Sequence, residues 1–106
     1  MSKNDIILSV VDVSETVKES LRRFFKSLGR DVPEINDDTD LINATGASSD
    51  EGVDFAIDLS DAIGVEVPHN FNPFVHESGH RGMKVRELVE HSKTFVSALQ
   101  EKSHGG

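Results

Sequence analysis

The chain has 106 residues, with 11 Lys+Arg against 19 Asp+Glu and no Cys. That length allows one domain with one modest core, and a formal net charge of -8 argues against a nucleic-acid binder, whose partner phosphates need a basic surface. The absence of Cys excludes a disulfide framework and a Cys-based zinc site or nucleophile.

Residues 1–13 read as an N-terminal extension. Its apolar run Ile6–Val11, flanked by Asp5 and Asp12, is too short for a signal-peptide core. No segment approaches the ~18–20 apolar residues of a membrane span, so the expected location is the cytoplasm. Asp12 or Ser14 is a candidate cap for a first helix over roughly 14–28. Val17, Leu21, Phe24, Phe25 and Leu28 follow at helical spacing, and Gly29 is a plausible stop. Residues 29–47 read as a long loop rich in turn formers, pinned to the core by Val32, Ile35 and Leu41. Loops of that length in a small domain are often functional.

Ser48 or Ser49 then caps a second helix that ends at Gly64. Asp50 and Glu51 occupy its first turn, where carboxylates suit the helix dipole. Val53, Ala56, Ile57, Ser60 and Ile63 form one stripe, widened by Phe55 and Leu59. Asp54, Asp58 and Asp61 make an acidic ridge beside it. Residues 69–83 are irregular, with room for a short packed turn at Phe71, Phe74 and Val75. A last helix follows over about 84–99, and residues 100–106 read as a flexible tail. The expectation is an all-α domain over 14–99, with three main helices, a short fourth and one long loop.

Charge is unevenly spread. From Asp31 to His80 there is no Lys or Arg, and this stretch holds twelve acids. The flanks hold all 11 basic residues and seven acids. Such a block repels anionic surfaces and steers toward a basic protein surface.

The run Gly46-Ala47-Ser48-Ser49-Asp50-Glu51-Gly52-Val53-Asp54, continuing to Gly64-Val65-Glu66-Val67-Pro68, resembles the acyl carrier protein family. Members carry Gly-x-Asp-Ser-Leu at the start of an acidic second helix, followed by Gly-[Ile/Val]-Glu-[Ile/Val]-Pro. With Ser49 on the modified serine, Pro68 falls on the family proline without a gap. The register also runs back ungapped through Leu41 and Ile35 to Leu28-Gly29. Val85–Val89 resembles the start of the last helix, so the likeness covers roughly residues 14–99.

The resemblance implies a four-helix-type carrier bundle, a monomer with no catalysis of its own. A phosphopantetheinyl transferase would move 4′-phosphopantetheine from coenzyme A onto Ser49. The arm's thiol would then carry an acyl or aminoacyl group as a thioester, as in fatty acid biosynthesis and related lipid metabolism. Asp50, Glu51, Val53, Asp54, Ile57, Asp58 and Asp61 would meet basic docking patches on acyl-transferring or acyl-activating enzymes. Ser48 stands where the family has Asp, and Asp50 where it has Leu. The N-terminus and the stretch between Pro68 and Val85 are longer than in common members, which suggests a specialised carrier. The alternative is the same fold without the arm, an interaction module in which Ser49 is only a helix cap.

His76-Glu77-Ser78-Gly79-His80 also matches H-E-x-x-H, a zinc motif when carried on a helix. Ser78, Gly79 and Gly82 argue against a helix there, so solvated loop histidines are the expectation.

Overall fold

The structure, a computed structural model, describes residues 10–31 and 34–105. Residues 1–9 of the expected extension and the expected Val32 anchor lie outside them. The described residues form three helices and no strand: α1 Val10–Ser27, α2 Ser49–Ile63 and α3 Val85–Gly105.

Helix α1 begins before either expected cap, so Asp12 and Ser14 lie within it. Val13, Val17, Leu21, Phe24 and Phe25 form its buried face, as a 3.6-residue period requires. Gly29 then turns the chain with φ 71°. The amide of Arg30 donates to the Phe25 carbonyl (3.0 Å) and that of Gly29 to Lys26 (2.9 Å), which closes the helix end. Leu28 falls in this turn and stays exposed, outside the apolar stripe expected of it.

The 28–48 connection is long but tied down. Ile35 and Leu41 are buried, as anchors should be. The Leu41 amide donates to Met83 (2.9 Å), Val85 to Thr39 (3.0 Å) and Arg86 to Asp37 (2.9 Å), so the loop runs along the approach to α3. Gly82 allows this approach: a Cβ there would lie 2.2 Å from Asp40 Oδ1 and 2.9 Å from Ile42 Cβ.

The described residues show no short fourth helix. Residues 69–84 hold turns, an antiparallel bridge between Val75 and Gly82, and a second from Lys84 to Asp40. His76 donates its amide to Arg81 (2.8 Å) and Met83 to Phe74 (2.9 Å), so the excursion folds back on itself. Pro73, Gly79 and Gly82 leave too few consecutive helix formers for anything longer. Helix α3 continues to Gly105, past the expected end at 99 and through the stretch read as a tail.

Helix α1 packs on both other helices. Phe74 enters the core from the excursion and stacks on Phe55 of α2 (ring centroids 5.5 Å) and Phe25 of α1 (5.7 Å). Phe24 meets Phe55 and Phe74 edge-on at 5.3 and 6.0 Å.

Candidate functional site

The site expected at the start of α2 is built by a division of labour between adjacent serines. Ser48, not Ser49, is the cap. Its extended backbone (φ -102°, ψ 166°) points its hydroxyl back at the helix, where it accepts from the Glu51 amide at 3.3 Å. Glu51 returns the bond, its carboxylate accepting from the Ser48 amide at 3.1 Å. This reciprocal pair is a capping box. Ser49 is therefore the first helical residue. It is exposed, and its hydroxyl has no hydrogen-bond partner among the described residues.

Glu51 is also gripped from α1's end. Arg30 Nη1 and Nη2 donate to its two carboxylate oxygens at 2.8 and 3.0 Å. The bidentate bond to Arg30 holds the Glu51 carboxyl below its ordinary pKa, against a smaller opposing effect of desolvation. Glu51 is half-buried, and its carboxylate is committed to Arg30 and the Ser48 amide.

The remaining expected contact residues do share one surface. Asp50, Asp54, Asp58 and Asp61 are exposed on α2. Val53 and Ile57, one turn apart, are 58% and 66% exposed. The stripe read from the sequence is corrected here: α2 buries Gly52, Phe55, Leu59 and Ile63, while Val53 and Ile57 look outward. Phe55 and Leu59 take the inner face, where they join the core cluster with α1 and Phe74.

A groove of about 320 Å³ runs beside Val53 and Ile57, closed on its far side by Glu66–Asn72. Asn72 ties this wall to the site. Its Nδ2 donates to the Ser49 carbonyl at 2.9 Å, and its Oδ1 accepts from the Phe74 amide at 2.9 Å. Gly52 makes room for it: a Cβ there would lie 2.0 Å from Asn72 Oδ1 and 2.9 Å from Phe74 Cβ. Sequence reasoning missed Arg30, Gly52 and Asn72. Ser48 with Glu51 three residues on was the legible signal for the cap. A Gly inside an amphipathic helix was the signal for a close approach.

The H-E-x-x-H stretch is not carried on a helix. His76–His80 lies in a turn, with Gly79 at φ 78°, so its histidines do not share a helix face. His76 Nδ1 is engaged with Ser78 (3.0 Å to Oγ), and Glu77 reaches His91 Nε2 at 3.4 Å. Among the described residues no three His, Asp or Glu side chains come together as metal ligands.

The residues around Ser49 suit a phosphodiester-linked arm in two respects. The hydroxyl is open, and the amides of the helix's first turn carry the positive end of its dipole. Comparisons with known family models, curated proteins and solved structures found no match. No helix among the described residues is long and apolar enough to cross a membrane.

Proposed function

We propose that this chain is a carrier protein whose Ser49 hydroxyl accepts a 4′-phosphopantetheine arm from a phosphopantetheinyl transferase. The finer fold reading belongs with this proposal: a carrier bundle in which a packed excursion replaces the short helix. One observation carries the reading. Ser48 and Glu51 complete the cap by themselves, so the Ser49 hydroxyl is free for chemistry while sitting at a rigid helix start. When bound, the arm supplies a thiol that holds an acyl or aminoacyl group as a thioester. The chain's own residues do the presenting. Asn72 holds the Ser49 carbonyl itself, and Arg30 holds the Glu51 carboxylate two residues on. Val53 and Ile57 offer a partner enzyme an apolar contact, and Asp50, Asp54, Asp58 and Asp61 steer toward a basic surface.

Incubation with coenzyme A, Mg²⁺ and a broad-specificity transferase tests this. Intact mass should rise by one phosphopantetheine, and Ser49→Ala should abolish the rise. No gain with any transferase sinks the reading.

Asp50 favours a second reading, an interaction module without the arm. It is exposed directly beside Ser49, where the resembled family has Leu. Here Ser49→Ala leaves partner binding intact and Asp54→Lys with Asp58→Lys removes it.

A further inference from the structure

A second groove, of about 460 Å³, lies between α1 and α2. Ligand pockets run from roughly 300 Å³ upward, so a small molecule fits. Ser20 and Phe24 of α1 are its buried floor, at 6% and 7% exposure. The buried hydroxyls of Thr45 and Ser92 are spent on the carbonyls of Leu41 and Leu88, both at 2.8 Å. Ser20 Oγ, by contrast, has no hydrogen-bond partner among the described residues. A buried hydroxyl costs stability unless something in the groove satisfies it.

Both helices bring charge to the rim. Arg23 stands on α1, and Asp58 and Asp61 stand on α2, all exposed. Neighbouring α1 cations are committed, Lys18 to Asp37 at 3.0 Å and Arg22 to Glu19 at 3.2 Å. Arg23, Asp58 and Asp61 form no ion pair among the described residues, although they line one groove.

This arrangement selects by charge. A simple anion meets two aspartates, and a simple cation meets Arg23. Among the described residues, a metal ion finds no third carboxylate or imidazole beside Asp58 and Asp61. A molecule with one ammonium and one carboxylate satisfies both sides. Its carboxylate would accept from the Arg23 fork and the Ser20 hydroxyl. Its ammonium would donate to Asp58, Asp61 and Ser27 Oγ, whose own proton goes to the Phe24 carbonyl at 2.7 Å. Phe24 and Ala62 add apolar surface for a small side chain. We propose that the α1–α2 groove binds a free amino acid in its dipolar form, at a site separate from Ser49.

L-Valine is the probe, added to the full chain at about pH 6, where its amino group is charged. Amide resonances of Ser20, Arg23 and Asp58 should shift saturably, with half-saturation below about 20 mM. N-acetyl-L-valine lacks the ammonium and L-valine methyl ester lacks the carboxylate. Each should bind at least about fivefold more weakly. Arg23→Gln should weaken L-valine by about fivefold or more and spare the ester. Asp58→Asn with Asp61→Asn should weaken L-valine as much and spare the acetylated compound. All three side chains are exposed, so these variants should keep the fold. Ser49→Ala should bind L-valine as the unaltered chain does. Loss of the carrier reading therefore leaves this site standing, and loss of this site leaves the carrier reading standing. The proposal is overturned by the lack of a saturable shift below about 20 mM, or by either blocked compound binding within about fivefold of L-valine. Undiminished binding to Arg23→Gln, or shifts centred on Val53 and Asn72, overturns it equally.

Discussion

Arg30 and Glu51, 21 residues apart in sequence, meet through two parallel hydrogen bonds of 2.8 and 3.0 Å. One partner closes the turn after α1 and the other completes the cap of α2. The pair therefore sets where the second helix begins relative to the first. Arg30→Met should lower the melting temperature modestly and speed amide exchange at Glu51 and Gly52. Arg30→Lys should recover only part of this, since an ammonium cannot match the fork. Unchanged exchange in Arg30→Met would show that the cap stands without it.

The two serines should separate cleanly. Ser48→Ala removes the cap and should cost about 1 kcal/mol in denaturant unfolding while leaving Ser49 available for modification. Ser49→Ala should alter stability by less than about 0.5 kcal/mol and abolish the mass gain. A larger loss of stability for Ser49→Ala than for Ser48→Ala contradicts this assignment.

Gly52→Ala inverts the usual helix rule. At an ordinary helical position the change gains up to about 1 kcal/mol. Here the new methyl meets Asn72 Oδ1 at 2.0 Å and Phe74 Cβ at 2.9 Å, so the variant should lose about 1–3 kcal/mol. Asn72→Ala in the same chain should recover part of the loss, because the nearest obstruction is gone. The measurement is a double-mutant cycle by urea denaturation.

Acid should loosen the start of α3 between about pH 4.5 and 2. Arg81 donates to both Glu87 oxygens at 3.0 and 2.7 Å, and the Lys84 amide adds a third bond at 2.9 Å. Chiefly through the Arg81 bonds, the Glu87 carboxyl is lowered from 4.5 to about 2. A depressed carboxyl stabilises the fold above its unfolded pKa, and that contribution is lost as pH falls through the folded value. Stability should therefore decline from about pH 4.5 toward 2. Arg81→Gln should return the Glu87 titration, followed by carboxyl NMR, toward the ordinary range and flatten this part of the curve.

The outward face of α2 should be dispensable for folding and required for association. Val53→Ser with Ile57→Ser should change stability by less than about 1 kcal/mol, since both side chains already stand in water. Binding to a basic partner enzyme should weaken in that variant. Asp54→Lys with Asp58→Lys should abolish it, and binding to the unaltered chain should fall with added salt.

Much of this arrangement was legible. Val17, Leu21, Phe24 and Phe25 announce α1 by their period, and Gly29 and Gly64 announce the ends of α1 and α2. The α2 stripe was misread because Val53, Phe55, Ile57 and Leu59 alternate, and period alone does not say which pair turns inward. Contact with α1 and Phe74 settles it for Phe55 and Leu59. The bonds of Arg30 and Asn72 join residues more than twenty positions apart, which no local pattern records. Residues 69–83 were legible as irregular from their Asn, Pro and Gly content. Their role as the third wall of the core depends on where Phe74 lands.

The Val53–Ile57 face also governs how molecules of this chain behave toward one another. At neutral pH the aspartates around it belong to a chain carrying -8, and mutual repulsion keeps two such faces apart. Near the isoelectric point of about 4.9 that repulsion vanishes while the apolar pair stays exposed. Colloidal stability is then lowest in mildly acid buffer of high ionic strength, where these two side chains have most to gain from meeting their counterparts.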